Sequence, residues 1–156
     1  MKRILIFLLS ILLILSLVSC SDDSNKVSDA SATDVALVVK ESVTFVDDMF
    51  EVSNEVATDF YNLPEGITDF KVFMSASGAT AEEIAVFKCD SKETCENVKK
   101  ACEKRIEALT DKFEDYIPEE MAKINNAVIQ EKNGFVMFIC ADSTDSAENA
   151  FKNYKY

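Results

Sequence analysis

Glu83-Ile84-Ala85-Val86-Phe87-Lys88-Cys89, followed at once by Asp90-Ser91-Lys92-Glu93, is the stretch on which the fold turns. The first seven residues are rich in Ile, Val and Phe, as a strand in a packed sheet requires. Asp90 with Glu93 three residues later resembles a capping box, with Asp in place of the usual Ser or Thr. A long helix therefore starts here and runs to about Asp115. Its apolar stripe is Cys95, Val98, Cys102, Ile106, Leu109 and Phe113, at spacings of three or four.

Upstream, Ile67 to Ala76 has period two, with Phe70, Val72, Met74 and Ala76 on one face. This second strand joins the first through a turn containing Ser77-Gly78, so the pair reads as an antiparallel hairpin. Downstream, Pro118 bars the long helix from continuing. Ile124 to Glu131 reads as a third strand, Asn133-Gly134 as a type I′ turn, and Phe135 to Ala141 as a fourth strand. Asp142 or Ser143 opens a terminal helix bearing Ala147, Ala150, Phe151 and Tyr154. The order is thus strand-strand-helix, twice. Phe87-Lys88-Cys89-Asp90-Ser91 echoes Phe138-Ile139-Cys140-Ala141-Asp142-Ser143, and shared strand-end and cap requirements account for this as well as duplication does.

Two helices precede these units. One begins near Thr33 or Asp34, carries Val35, Leu37 and Val38, and extends toward Phe45 and Val46. The other is capped by Ser53, places Val56, Ala57, Phe60 and Tyr61 on one side, and is stopped by Pro64-Glu65-Gly66. The predicted fold is α+β: a four-stranded, mainly antiparallel sheet from two strand-strand-helix units, preceded by two N-terminal helices. Val86 with Phe87, and Met137 with Phe138, put bulky groups on both sides of the sheet. One face is expected to take the long and terminal helices, and the other the N-terminal helices or a ligand or partner.

The N-terminus has a different character. Lys2 and Arg3 precede the apolar run Ile4 to Val18, and small Ser19 stands immediately before Cys20. That run is shorter than the roughly 20 residues of a comfortable membrane span, and its layout is that of an export signal. Residues 1–19 are read as a lipoprotein signal peptide, with Cys20 carrying diacylglycerol after cleavage. Residues 20–33 then form the lipidated cysteine and a flexible tether, poor in groups able to bury themselves. Its typical end-to-end distance is about 20 Å. Residues 34–156 form a single α+β domain.

The whole chain has 28 acidic against 16 basic residues, a net charge of −12, and the loss of Lys2 and Arg3 with the signal makes the exported part more negative by two. Such a surface repels phosphate backbones and anionic lipid alike, so no nucleic-acid partner is expected and the lipid must hold the domain at the membrane. Histidine is absent. That removes Ser-His-Asp and Cys-His nucleophile activation and histidine-containing zinc sites. No cofactor and no metal site is expected.

Four cysteines remain beyond Cys20: Cys89, Cys95, Cys102 and Cys140. Cys95 and Cys102 lie two helical turns apart, roughly 10 Å along the axis, and cannot bridge each other. Cys89 and Cys140 end comparable strands and approach only if those strands are neighbours at matching ends. Buried free thiols and a structural disulfide both stay open. Adjacent Glu82 and Glu83 point to opposite faces of a strand, which argues against a shared-proton pair. Arg105, flanked by Glu103 and Glu107, reads as a helical arginine on a solvated face or as a binding group.

Several segments together carry a resemblance. They are Ser75-Ala76-Ser77-Gly78, Glu82-Glu83-Ile84-Ala85-Val86-Phe87-Lys88, Arg105, Phe113 to Tyr116 with Pro118-Glu119, and Asn126-Ala127-Val128. With the lipoprotein-like leader, they resemble an uncharacterised family of small Gram-positive bacterial lipoproteins with a domain of unknown function. The likeness runs from about residue 34 to the end, and the four cysteines are not part of it. It implies export, domain limits and α+β architecture, and no activity.

The expected function is a non-enzymatic binding or interaction module on the outer, extracytoplasmic face of the cytoplasmic membrane, held by the lipid on Cys20. Its partner is an envelope protein or a small ligand. Two alternatives are an envelope enzyme using carboxylate, Arg and Tyr chemistry around Glu83, Arg105 and Tyr116, and an accessory subunit of a membrane complex. The enzyme reading requires those three side chains to converge in one concave pocket.

Overall fold

The computed structural model describes residues 29–156. The signal segment, Cys20 and most of the tether lie outside the described residues. Among the described residues no helix is long and apolar enough to cross a membrane.

The chain runs α1 (Ala32–Glu41), β1 (Met49–Glu51), α2 (Asn54–Tyr61), β2 (Ile67–Ser75), β3 (Glu83–Cys89) and α3 (Lys92–Phe113). A 3-10 turn (Pro118–Glu120) then leads into α4 (Met121–Asn125), β4 (Val128–Lys132), β5 (Phe135–Cys140) and α5 (Asp145–Asn153). Among the described residues this is a mixed α+β fold with five helices and a five-stranded sheet in the order β1-β2-β3-β5-β4, every neighbour antiparallel.

The hairpin read from Ile67 to Cys89 is present, and α3 follows β3 after a single turn. The cap of α3 is Ser91, whose hydroxyl accepts from the Thr94 N–H at 3.1 Å. Asp90 binds the Thr94 hydroxyl at 2.6 Å, so the acidic residue supports the cap from one position earlier. Gly66 sits against this cap with a positive φ of 91°, and a Cβ there would come within 2.4 Å of Thr94 Oγ1. The chain can pass so close to the helix start only because that residue is glycine. Asn133 and Gly134 both have positive φ, 51° and 79°, as the two central residues of a type I′ turn require.

The sheet has five strands, not four. The missed strand is β1, three residues in the stretch between the two N-terminal helices. α1 stops at Glu41: the Ser42 and Val43 N–H groups bond back to the Val39 and Lys40 carbonyls in a tighter turn, and further on the Val46 and Asp47 N–H groups donate to the Glu82 carboxylate instead of to helical carbonyls. Too short for period two to register, β1 is held by its ladder to β2. Three boundaries also move. α1 starts at Ala32 under a Ser31 cap, inside the stretch read as tether. Ile124 lies in the short α4, which ends at Asn125, and β4 begins at Val128. α5 starts at Asp145 rather than at Asp142 or Ser143.

Alternation along β3 and β5 builds a core on each face of the sheet. Ala85, Phe87, Val136, Phe138 and Cys140 join Val72, Tyr61 and the α3 stripe on one side. Ile84, Val86, Phe135, Met137 and Ile139 join Phe73 and the inner residues of α1 and α5 on the other. The long and terminal helices therefore cover opposite faces, contrary to the expected arrangement. β3 and β5 supply apolar groups to both faces, so each face takes one of these helices. β5 is fully buried from Phe135 to Cys140. With both sides covered within one chain, the centre of the sheet offers no binding face.

The four cysteines beyond Cys20 are free thiols. β3 and β5 are neighbours, but the register pairs Glu83 with Cys140 and Lys88 with Phe135, which leaves Cys89 and Cys140 at opposite ends of the ladder. At about 3.4 Å per residue they stand some 20 Å apart, far beyond disulfide reach. Burial pushes the Cys140 thiol up to about 12 and Cys102 higher still, so these sulfurs behave as small apolar groups.

Candidate functional site

The hairpin loop, β1 and the facing sides of α2 and α3 enclose a cleft of about 320 Å³. Its walls include Phe50, Phe60, Met74, Leu109 and Phe113, and its floor carries Glu83 and Arg105. Phe50 and Phe60 are 48% and 47% exposed, a large apolar surface to leave in water.

Glu83 begins β3 on the same face as Phe87 and is 1% exposed. An ionised carboxylate buried to that depth needs several hydrogen-bond donors. Tyr61, on the inner side of α2, donates its hydroxyl to Oε1 at 2.5 Å. Arg105, from α3, donates Nε to both carboxylate oxygens at 3.1 Å and Nη2 to Oε2 at 2.7 Å. Two helices are thereby tied to one strand residue. The Phe60 ring lies over the guanidinium at 4.7 Å from its centroid and shields it from the cleft mouth.

The electrostatics follow from this packing. Burial works against the Arg105 charge, but the adjacent Glu83 carboxylate more than offsets it, and the guanidinium pKa is raised. Burial, with the Glu83 charge beside it, also pushes the Tyr61 hydroxyl well above its ordinary range. Tyr61 is therefore a fixed neutral donor. The Glu83 oxygens are taken by three donors, an arrangement suited to holding shape rather than to moving protons.

Glu82 turns to a separate set of partners. Its carboxylate accepts the Val46 N–H at 2.9 and 3.1 Å and the Asp47 N–H at 3.1 Å, with Lys123 Nζ 3.8 Å away. Lys123 in turn binds Glu120 at 3.0 Å, and Glu120 receives the Ala81 N–H at 2.8 Å. Burial opposes the Lys123 charge, yet Glu120 and Glu82 raise its pKa. The two neighbouring glutamates share no proton, as strand geometry predicts. Instead Glu82 fixes the loop that delivers β1 to the sheet.

Asp47 completes that loop, accepting from Ser75 Oγ at 2.6 Å, Ser77 N at 2.8 Å and Ser77 Oγ at 2.5 Å. The Ser75 hydroxyl, then the two Ser77 groups, hold its carboxyl well below the ordinary value of 3.8. A depressed folded pKa means stability that is complete above that ordinary value and is lost as the pH falls through the lower folded one. The stability difference between Asp47→Asn and the unaltered chain is therefore expected to be largest near pH 7 and to shrink below about pH 4. Urea titrations across that range measure it, and a constant difference would contradict the assignment.

Of the residues singled out in the sequence, Glu83 and Arg105 meet in the cleft. Tyr116 does not; it lies beyond α3, 78% exposed and outside the cleft. Its place beside Glu83 is taken by Tyr61. The helix periodicity had put Tyr61 on an inner face, and a buried strand-start glutamate needs a donor, but neither signal names the pairing. Phe50 and Lys123 carried no sequence signal. Cys20 lies outside the described residues. Among the described residues no group of three or more His, Cys, Asp or Glu side chains is placed to hold a metal ion.

The sequence model of a family described as Domain of unknown function (DUF4358) matches residues 41–141. The chain belongs to that family. No curated protein and no solved structure shows significant similarity to it. The DUF4358 span runs from the end of α1 to just past β5, so it contains the whole sheet, the cleft and the Glu83, Arg105 and Tyr61 cluster. α5 and nearly all of α1 fall outside it, and both pack on the face of the sheet away from the cleft. The family-matched part thus carries the cleft face complete, while the flanking helices close the other face.

Proposed function

We propose that this chain is a lipid-anchored, non-enzymatic binding module displayed on the outer face of the cytoplasmic membrane, and that the cleft between Phe50 and Phe60 is its recognition surface. The observation that carries the reading is two half-exposed aromatic walls over a rigid, fully bonded floor. Exposed aromatic groups on a pre-organised support are what recognition sites use, because little conformational freedom is lost on binding. The saturated Glu83 carboxylate favours binding over the carboxylate, Arg and Tyr chemistry of the enzyme alternative. Service as the accessory subunit of a membrane complex is one form of the same reading.

The cleft also lies at the other end of β3 from the point where the described chain enters the domain. The N-terminal segment joins the domain where Ala32 N–H is held by Asp69 Oδ2 at 2.7 Å and the Ala30 carbonyl by Lys88 Nζ at 2.9 Å. Lys88 and Glu83 stand at opposite ends of β3, about 17 Å apart at strand spacing. A domain tethered through Cys20 presents the cleft at the end away from its attachment. The anchor and the surface are tested separately. Fatty-acid analogue should label the full chain and leave Cys20→Ala unlabelled, and label on that variant would defeat the anchor. A thermal-shift screen of the full chain against envelope fragments and peptides should find ligands whose stabilisation is lost in Phe60→Ala. A hit equally strong in Phe60→Ala would move the site elsewhere.

A further inference from the structure

The cleft opens beside the edge of the sheet, and among the described residues the outward N–H groups of that edge have no backbone partner. β1 is the outermost strand, with Phe50 opposite Met74. Val52 N–H donates to Val72 C=O at 3.0 Å, and Ala76 N–H donates to Asp48 C=O at 2.8 Å. Asp48, Phe50 and Val52 therefore turn their backbone groups toward β2. By the alternation of an antiparallel ladder, Met49 and Glu51 turn theirs outward. Phe50 itself projects to the cleft side, the side of its partner Met74. A strand added to this edge would have its alternate side chains directed onto the face where Phe50 and Phe60 stand exposed.

The charges beside the edge select among strands. Asp48 and Glu51 are exposed on or next to β1, and Glu55 and Asp59 are exposed on α2. Glu51 pairs with Lys71 at 2.6 Å, while among the described residues Asp48, Glu55 and Asp59 have no ion-pair partner. Such an edge repels a second copy of this acidic chain and attracts a basic segment.

Building on the cleft as recognition surface, we propose that its occupant is an extended segment of a partner protein with a basic residue two places to either side of an apolar one, so that all three face the side of the sheet on which Asp48 and α2 lie. The segment adds as a sixth strand to β1 and places an apolar side chain between Phe50 and Phe60. Main-chain hydrogen bonds from Met49 and Glu51 supply the pairing, and the aromatic walls supply the choice of side chain.

The probe is a fluorescein-labelled heptapeptide, Thr-Lys-Thr-Phe-Thr-Lys-Thr, titrated with the full chain in non-ionic detergent and followed by anisotropy. Saturable binding that weakens with salt is expected. Backbone N-methylation of the peptide at the residues facing β1 should weaken binding at least tenfold, and the Glu-for-Lys counterpart should not bind. Met49→Pro, which removes an outward N–H that β2 does not use, should also cost at least tenfold. The N-methylated peptide makes the same test without altering the protein. Equal affinity of the parent and N-methylated peptides overturns strand addition; if Phe60→Ala still weakens them, the cleft reading stands alone. Absence of binding by the parent peptide overturns the proposed occupant.

Discussion

Arg105→Met is expected to lower the unfolding free energy by about 3 to 5 kcal/mol, the usual cost of stranding one partner of a buried ion pair. Methionine keeps the apolar stem but removes the guanidinium that Phe60 covers, and with it all three donations to Glu83. Only the Tyr61 hydroxyl would then face a carboxylate that is 1% exposed. Adding Glu83→Gln should recover a large part of the loss, because no charge is then left buried. Urea unfolding of both variants with an unchanged slope makes the comparison. A loss below about 1 kcal/mol for Arg105→Met would mean that the pair behaves as a surface salt bridge and that the cleft floor is not rigid.

Phe87→Ala is expected to cost a similar amount, about 3 to 5 kcal/mol, for a different reason. The ring is fully buried at the middle of β3, edge-on to Tyr61 at 5.0 Å between centroids and near Phe70 at 6.2 Å. Its removal opens a cavity against the centre of the sheet, where β3 is held by antiparallel ladders to β2 and β5 and cannot collapse inward. Phe60→Ala should by contrast cost under about 1 kcal/mol, since the ring is half exposed and contributes mainly its contact with the Arg105 guanidinium. The contrast separates a residue kept for packing from one kept at the surface. A large loss in Phe60→Ala would assign that ring to the core and remove the cleft's outer wall.

The legible parts of this fold were those that repeat. Seven residues of β3, the period-two spacing of β2, the stripe of α3 and the Asn133-Gly134 turn each declare themselves locally, and the observed hairpins and long helix follow them. β1 does not repeat anything. Its three residues become a strand because Glu82, buried and anchored by Lys123, captures the backbone of Val46 and Asp47 and lays the chain against β2. That contact joins residues 36 apart, which no local period reports. The choice of helix for each face was hidden for the same reason, since β3 and β5 are apolar on both sides and accept either.

The site divides in the same way. Glu83 stands out in the sequence as a charge at the head of an apolar strand, whereas Arg105 stands between Glu103 and Glu107 as a helical arginine does in solvent, and neither pattern names the other as its partner. Tyr61 and Tyr116 were both available to sequence reading, and only the three-dimensional path of α2 puts the first beside Glu83 while the end of α3 leaves the second in solvent. Phe50 became a wall of the cleft through the unforeseen β1.

The most direct test of the cleft as the recognition surface is site-specific photocrosslinking in native membranes. A photoreactive residue at Phe60 should yield one discrete adduct, abolished by an excess of unlabelled full chain. The same group at Lys155, beyond α5 on the opposite face, should yield none. Equal adducts from both positions, or an adduct from Lys155 alone, would contradict the assignment of recognition to the cleft.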